Sequence, residues 1–142
     1  MNATVSPAPD LREGAEIDPT TAIPTAVQLF RFSAATGNPH LIHYNTDHAH
    51  DEGYPGLVVQ SHLHASLLVQ AARRWAGPAA RMRRFRWENR HLAVVGDELT
   101  ITGRVTRVDA DPHRYTVDLE LAEHNQHGQL CAPAWATVTI DR

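Results

Sequence analysis

From Ser61 to Trp75 apolar residues recur every four positions, at Leu63, Leu67, Ala71 and Trp75, with Leu68 and Ala72 beside them and Ala65 and Val69 widening the face. That period predicts a helix, and a stripe so broad predicts one embraced by a sheet. Ser61 offers a hydroxyl cap at its start. Gly77-Pro78 stops it, and Arg73 and Arg74 occupy the last turn, where cations suit the helix dipole.

Beyond Gly77 the period changes to two. One strand is expected within Arg84 to Val95. Glu98 to Val108 alternates Leu99, Ile101 and Val105 against Thr100, Thr102 and Arg104; Tyr115 to Leu121 alternates Tyr115, Val117, Leu119 and Leu121. Cys131 to Ile140 sets Ala134, Ala136, Val138 and Ile140 against Trp135, Thr137 and Thr139. Turn residues fall between these runs, at Gly96-Asp97, Asp109 to Pro112 and Asn125 to Gly128. One long helix followed by hairpin-linked strands predicts an α+β fold in which an antiparallel sheet wraps the helix.

The N-terminal part is less regular. Residues 1–24, rich in Pro, Ala, Thr and acidic side chains, show no sustained period and are expected to form an extended or poorly ordered arm. Ala26 to Phe32 is expected as a strand, and Gly37, Asn38 and Pro39 end it. Tyr44 to Asp51, with Asn45 or Thr46 as its cap and Gly53 as its stop, predicts a short helix. With 142 residues, the chain holds about one domain, placed at 25–142.

Composition removes several function classes. No apolar run approaches the roughly 20 residues that span a bilayer, and Met1 to Asp10 lacks a secretory signal, so a cytoplasmic protein is expected. Cys131 is the single cysteine, which excludes an intrachain disulfide and reads as a small buried hydrophobe. Net charge is −3 and no aromatic-basic motif is present, so nucleic acid is not an expected partner. Arg81, Arg83, Arg84, Arg86 and Arg90 make the one basic cluster, a solvated strand edge or, through Arg84 and Arg86, a dock for ligand phosphates.

The densest polar stretch precedes the long helix. Asn38, His40, His43, Tyr44, Asn45 and Asp47 fall within ten residues, between an apolar lead-in and a glycine-proline turn, as a site would. Six of the ten histidines lie between His40 and His64. Zinc would need three or four converging ligands, yet there is no H-E-x-x-H helix, and the H-x-H pairs at 48/50 and 62/64 cannot share a helix face. No metal is expected.

Phe32-Ser33-Ala34 and Asn38-Pro39-His40-Leu41-Ile42-His43-Tyr44 resemble the F-S-A…N-x-H-x-I-H-Y-D signature of hot dog-fold hydratases and dehydratases acting on acyl thioesters. Glu52 to Val59 resembles the E-G-Y-P-G-L-V-V that leads those proteins into their central helix, and Arg90 to Thr100 is similar to their lead into the third long strand. The nearest branch is the type-2 3-hydroxyacyl-thioester dehydratases and their MaoC-like relatives. At two points this chain departs from the pattern: Gln60-Ser61 stands where the family usually has His-Gly, and Asn45 where it usually has Asp.

The resemblance implies a hot dog fold and reversible hydration of an enoyl thioester, with His43 as acid/base and Asn38 holding water and substrate. It also implies a substrate wall from His40, Tyr54, Gly56, Gln60, Ser61 and His62. Such a reaction needs a base for water at C3, a proton for C2, and donors for the thioester oxygen as it gains charge. Backbone N–H groups at the start of the central helix would be those donors. No cofactor is expected beyond the CoA or phosphopantetheine that carries the substrate. The expected partners are acyl-CoA or acyl carrier protein and, because a small wrapped sheet leaves strand edges open, a second subunit in a homodimer or heteromer. A non-catalytic subunit completing a heteromer, or a hot dog thioesterase, are the other readings.

Overall fold

The computed structural model describes residues 8–142, and the first seven residues of the expected arm lie outside them. The remainder of that segment is not free of the fold. Glu16–Ala22 forms strand β1 and pairs antiparallel with Leu99–Ala110 (β3), from Glu16 opposite Arg104 to Ala22 opposite Leu99. The register slips between Ile17 and Thr20, where Pro19 has no N–H to give, so β1 carries no clean period for sequence reading to find.

Ala26 to Phe32, expected as a strand, is helical, and this expectation is corrected. Helix α1 runs Ala26–Thr36 because both ends are capped: Thr25 Oγ1 accepts from Gln28 N at 3.1 Å, and Gly37, at φ 65°, takes the left-handed turn that closes it. Its buried face is narrow, Leu29 and Ser33 one turn apart. A single 3-10 turn at Leu41–His43 follows, then helix α2, Thr46–Asp51, whose cap is Asn45, its Oδ1 accepting from His48 N at 2.9 Å.

Helix α3 spans Ser61–Ala76 and ends at Gly77, as its stripe predicts. Its capping residue is Gln60 rather than Ser61, with no side-chain bond. The sheet is antiparallel in the order β1-β3-β4-β5-β2, with β2 at Arg81–Trp87, β4 at Arg114–His124 and β5 at Leu130–Asp141. The strand expected within Arg84 to Val95 is cut short at Trp87; the chain from Glu88 to Glu98 is irregular, held to β5 where Glu88 N donates to Pro133 O and Arg90 N to Cys131 O, and bridged to Val58 at Val94.

One face of the sheet buries α3. Leu68, Ala71, Ala72 and Ala76 pack on Ile101, Val105, Val117, Leu119, Leu121, Ala132, Ala134, Ala136 and Val138. Alanines on both helix and β5 let the two backbones approach closely, and the alternation of β3, β4 and β5 supplies the rest of the core. Truncating Leu68, which is fully buried, would cost roughly 2–5 kcal/mol. A second cluster, Leu29, Ile42, Ala49, Leu57, Val58, Val59, Leu63, Ala93, Leu99 and Cys131, sits at the head of α3 and anchors the polar stretch. Burial and the neighbouring Glu123 charge push the Cys131 thiol up to about 11, in keeping with an inert core residue. Among the described residues no helix is long and apolar enough to cross a membrane.

Candidate active site

Residues 57–59 form a short extended segment that ties three parts of the chain together. Val59 N donates to Ala93 O at 2.9 Å and Val95 N to Leu57 O at 2.9 Å, while Val58 N donates to Ile42 O at 3.0 Å. The other end of Val58 is held by the site: its carbonyl accepts from His43 Nδ1 at 2.6 Å. A carbonyl can only accept, so this bond puts the proton on Nδ1 and leaves the lone pair on Nε2. His43 is 7 % exposed, and burial, with His40 nearby, holds its pKa below the ordinary 6.5 against the opposing pull of the Val58 carbonyl. The neutral, proton-accepting ring is therefore the form present at neutral pH.

His43 faces a cavity of about 380 Å³, lined also by Asn38, Ser61, His62, His64, Asn89, Arg90 and His91, with Val58, Val59 and Leu92 as its apolar part. Four of the sequence-expected residues, His43, Asn38, Ser61 and His62, thus come together. Asn38 is oriented by its own turn: its N–H donates to Ser33 O at 2.9 Å and its Oδ1 accepts from His40 N at 3.2 Å, so that among the described residues the Nδ2 amide is the free end. Tyr44 closes the same loop by donating to Pro39 O at 2.6 Å.

The head of α3 supplies donors. Gln60 gives no side-chain cap, and among the described residues the backbone N–H groups of Ser61 and His62 have no protein partner. These orphan groups sit at the positive end of a long helix, on the cavity wall. The Ser61 hydroxyl, present where the resemblance expects no side chain, is held by Asn89 Nδ2 at 2.5 Å.

Other expected residues lie elsewhere. Gln60 is 1 % exposed and does not reach the cavity; its Nε2 donates to Leu29 O at 2.8 Å and to Ser33 Oγ at 2.9 Å, joining α1 to α3. Tyr54 packs against the second apolar cluster, and a side chain at Gly56 would meet Val94 at 3.5 Å; neither lines the cavity. His40 is exposed, its ring 5.8 Å from that of His43 and 6.5 Å from that of His48. Arg84 and Arg86 lie exposed on β2 outside the cavity, Arg86 stacked 3.9 Å over the Trp135 ring, whereas Arg90 of the same cluster does line it. Asn45 caps α2 as Asp would, so that departure costs the fold nothing.

His40, His48 and Glu52 bring three donor atoms within 4.8 Å of one another, a grouping the H-x-H spacings do not show because it combines a loop with two residues four apart.

Sequence reasoning missed one pair altogether. His64, on the buried face of α3, bonds through Nδ1 to Glu123 Oε1 on β4. The signal was there: His64 lies four residues before Leu68 in the apolar stripe, and Glu123 takes the next inward position after Val117, Leu119 and Leu121.

Comparison with known proteins identifies the family and the fold. The family model of hydroxyacyl-thioester dehydratase type 2 matches residues 2–97. A stretch of 54 residues is 56% identical to mesaconyl-C(4)-CoA hydratase of Chloroflexus aurantiacus, over 37% of this chain and 19% of that protein, so the chain spans about a fifth of that relative's length. Among solved structures, the (R)-hydratase of A. caviae involved in PHA biosynthesis superposes with a TM-score of 0.84 at 21% identity, over 94% of this chain and 99% of that one. The ChsH1–ChsH2 complex of Mycobacterium tuberculosis gives 0.81 at 19% identity, over 91% and 98%. The C-terminally truncated HadBC (3R-hydroxyacyl-ACP dehydratase) complex of the same organism gives 0.73 at 21%, over 92% and 98%. These likenesses place the sheet and helix in the hot dog fold.

Proposed function

Because the chain belongs to the hydroxyacyl-thioester dehydratase type 2 family, we propose that it interconverts a 3-hydroxyacyl thioester and its 2-enoyl thioester, with His43 as acid/base. The observation that carries this reading is the His43–Val58 bond, which leaves the Nε2 lone pair free on a ring that lines a cavity shared with Ser61 and His62, whose N–H groups have no protein partner among the described residues. In hydration, His43 Nε2 takes a proton from water as the oxygen adds to C3. The C2=C3 electron pair moves toward the thioester carbonyl, whose oxygen is met by those N–H groups. In the simplest scheme the imidazolium so formed returns the proton to C2. Asn38, which cannot ionise, orients the water through its free amide.

The likeness to mesaconyl-C(4)-CoA hydratase supports a CoA-borne substrate, and Arg90 and His91 at the cavity suit a short acyl group with a polar end better than a long alkyl chain. Arg90 also suits a phosphate of the carrier. The chemistry drawn uses side chains and backbone of this chain alone.

The active unit is at least a dimer in this reading. Pro19 and the register slip blunt the β1 edge, while β2 is the other open edge, and pairing there would satisfy its unpaired backbone groups. The complexes named among the structural relatives favour a second possibility, that this chain is one subunit of a heteromer. Purified chain incubated with crotonyl-CoA and with carboxylated enoyl-CoA esters tests the proposal. Loss of the conjugated-thioester absorbance is expected, and its absence throughout the series would overturn the reading for the isolated chain.

A further inference from the structure

We propose that His64, held by Glu123, is the group that handles the proton at C2, leaving His43 to act on the oxygen at C3; the assignment rests on the hydratase reading above. Both side chains are interior, His64 3% and Glu123 0% exposed, at positions where the patterns of α3 and β4 call for apolar residues. Stability does not ask for such a pair, since apolar residues of similar volume are often as good or better there. The pair is also built toward the site. His64 lines the same cavity as His43, its Nδ1 is engaged by Glu123 Oε1, and its Nε2 has no protein partner among the described residues and is not among the sealed, unpartnered atoms of the interior. Glu123 Oε2, by contrast, is sealed and unpartnered among the described residues, so the one side-chain bond this carboxylate makes is to the His64 ring.

Hydration moves two protons, one off water and one onto C2. Asn38 cannot carry either, so a site with His43 alone must bring one ring to both atoms in turn. A second imidazole in the same cavity lifts that requirement. His43 Nε2 takes the water proton while the C3–O bond forms and the C2=C3 pair moves into the thioester enolate. The enolate then takes the Nε2 proton of the His64 imidazolium as the C2–H bond forms. His43 ends charged and His64 neutral, and proton exchange with solvent resets both. Dehydration runs the same steps backward, with His64 removing the C2 proton. Glu123 acts through His64 and is a positioning residue.

Proton exchange at C2 of a saturated thioester isolates this half of the reaction. Butyryl-CoA in deuterium oxide, followed by mass, has no hydroxyl to lose, so deuterium uptake reports C2 chemistry without water addition. The parent is expected to take up deuterium and to hydrate an enoyl-CoA. His64→Gln should lower both rates by ~10²- to 10⁴-fold, and Glu123→Gln should lower both kcat values by about tenfold with KM unchanged. His43→Asn should lose far more hydration than exchange. If His64→Gln keeps C2 exchange within a few-fold of the parent, the proposal is wrong. Should that variant fail to fold, the near-isosteric Glu123→Gln decides alone, and an unchanged exchange rate there overturns it. A parent that exchanges C2 but hydrates nothing would sink the hydratase reading and keep His64; one that does neither would sink both.

Discussion

The His43–Val58 bond allows chemistry and folding to be separated in one residue. His43→Ala removes the base and also strips the Val58 carbonyl of its donor at 2.6 Å, in a buried setting. An unpaired buried carbonyl costs about 1–3 kcal/mol, so this variant should be both inactive and less stable. His43→Asn puts an amide N–H close to where Nδ1 stood. The carbonyl stays bonded, stability should remain within about 1 kcal/mol of the parent, and no group is left that can take a proton from water. Losing a general base costs ~10²- to 10⁴-fold in kcat, about 3 to 5 kcal/mol of barrier. The pH dependence has a fixed sign. The folded pKa of His43 is lowered below 6.5, chiefly by burial, so kcat/KM of the parent should be level near neutrality and fall on the acid side below 6.5. A depressed pKa also means that its contribution to stability is complete above 6.5 and is lost as pH falls through the folded value. His43→Asn should lack that acid-side loss. The assay is disappearance of the enoyl-thioester absorbance, with chemical denaturation run in parallel. A His43→Asn protein with unchanged circular dichroism and kcat within a few-fold of the parent would refute the assignment.

Asn38→Ala should cost less than loss of His43, roughly 10- to 100-fold in kcat, because it removes orientation and not a proton carrier; an effect as large as that of His43→Asn in the same assay would give Asn38 the larger role. Neutralising Arg90, which lines the cavity, should raise KM for CoA esters with little change in kcat, while Arg84→Gln and Arg86→Gln on the outer strand should leave both alone; the reverse pattern would restore the β2 cluster as the phosphate dock. EDTA is expected to change neither kcat nor Tm, and a Tm that falls with chelator and recovers with zinc would turn attention to His40, His48 and Glu52. Analytical ultracentrifugation should show a dimer or larger species at micromolar concentration, and a monomer there would contradict pairing through β2.

Where one period dominated, the fold was legible. The four-residue recurrence from Leu63 to Trp75 located α3 almost to the residue, and alternation located β3, β4 and β5. Short, two-sided segments were not legible in the same way. In AVQLFRF Val27 and Leu29, with Gln28 between them, imitate one face of a strand, yet Val27 and Phe30 are exposed and the real inward face is Leu29 with the polar Ser33. Thr25 and Gly37 were the signs of a helix, and they outweigh a weak alternation. The site divides along the same line. His43, Asn38, Ser61 and His62 were within reach because motif and helix head are close in sequence, whereas His64–Glu123 joins residues 59 positions apart, and Gln60, read as wall, turns its amide inward. Only a register that sets β4 against α3 could pair them.

That inward amide has a kinetic consequence. Gln60 bonds a main-chain carbonyl and a hydroxyl of α1 from the residue that precedes the first turn of α3, so detaching α1 breaks two bonds to the head of α3. Amides of the two segments should therefore open to solvent exchange together, as one cooperative unit less protected than the β4–β5 core. Opening of the cavity and exposure of the Ser61 and His62 N–H groups would then be the same event, timed by one buried side chain that does not line the cavity.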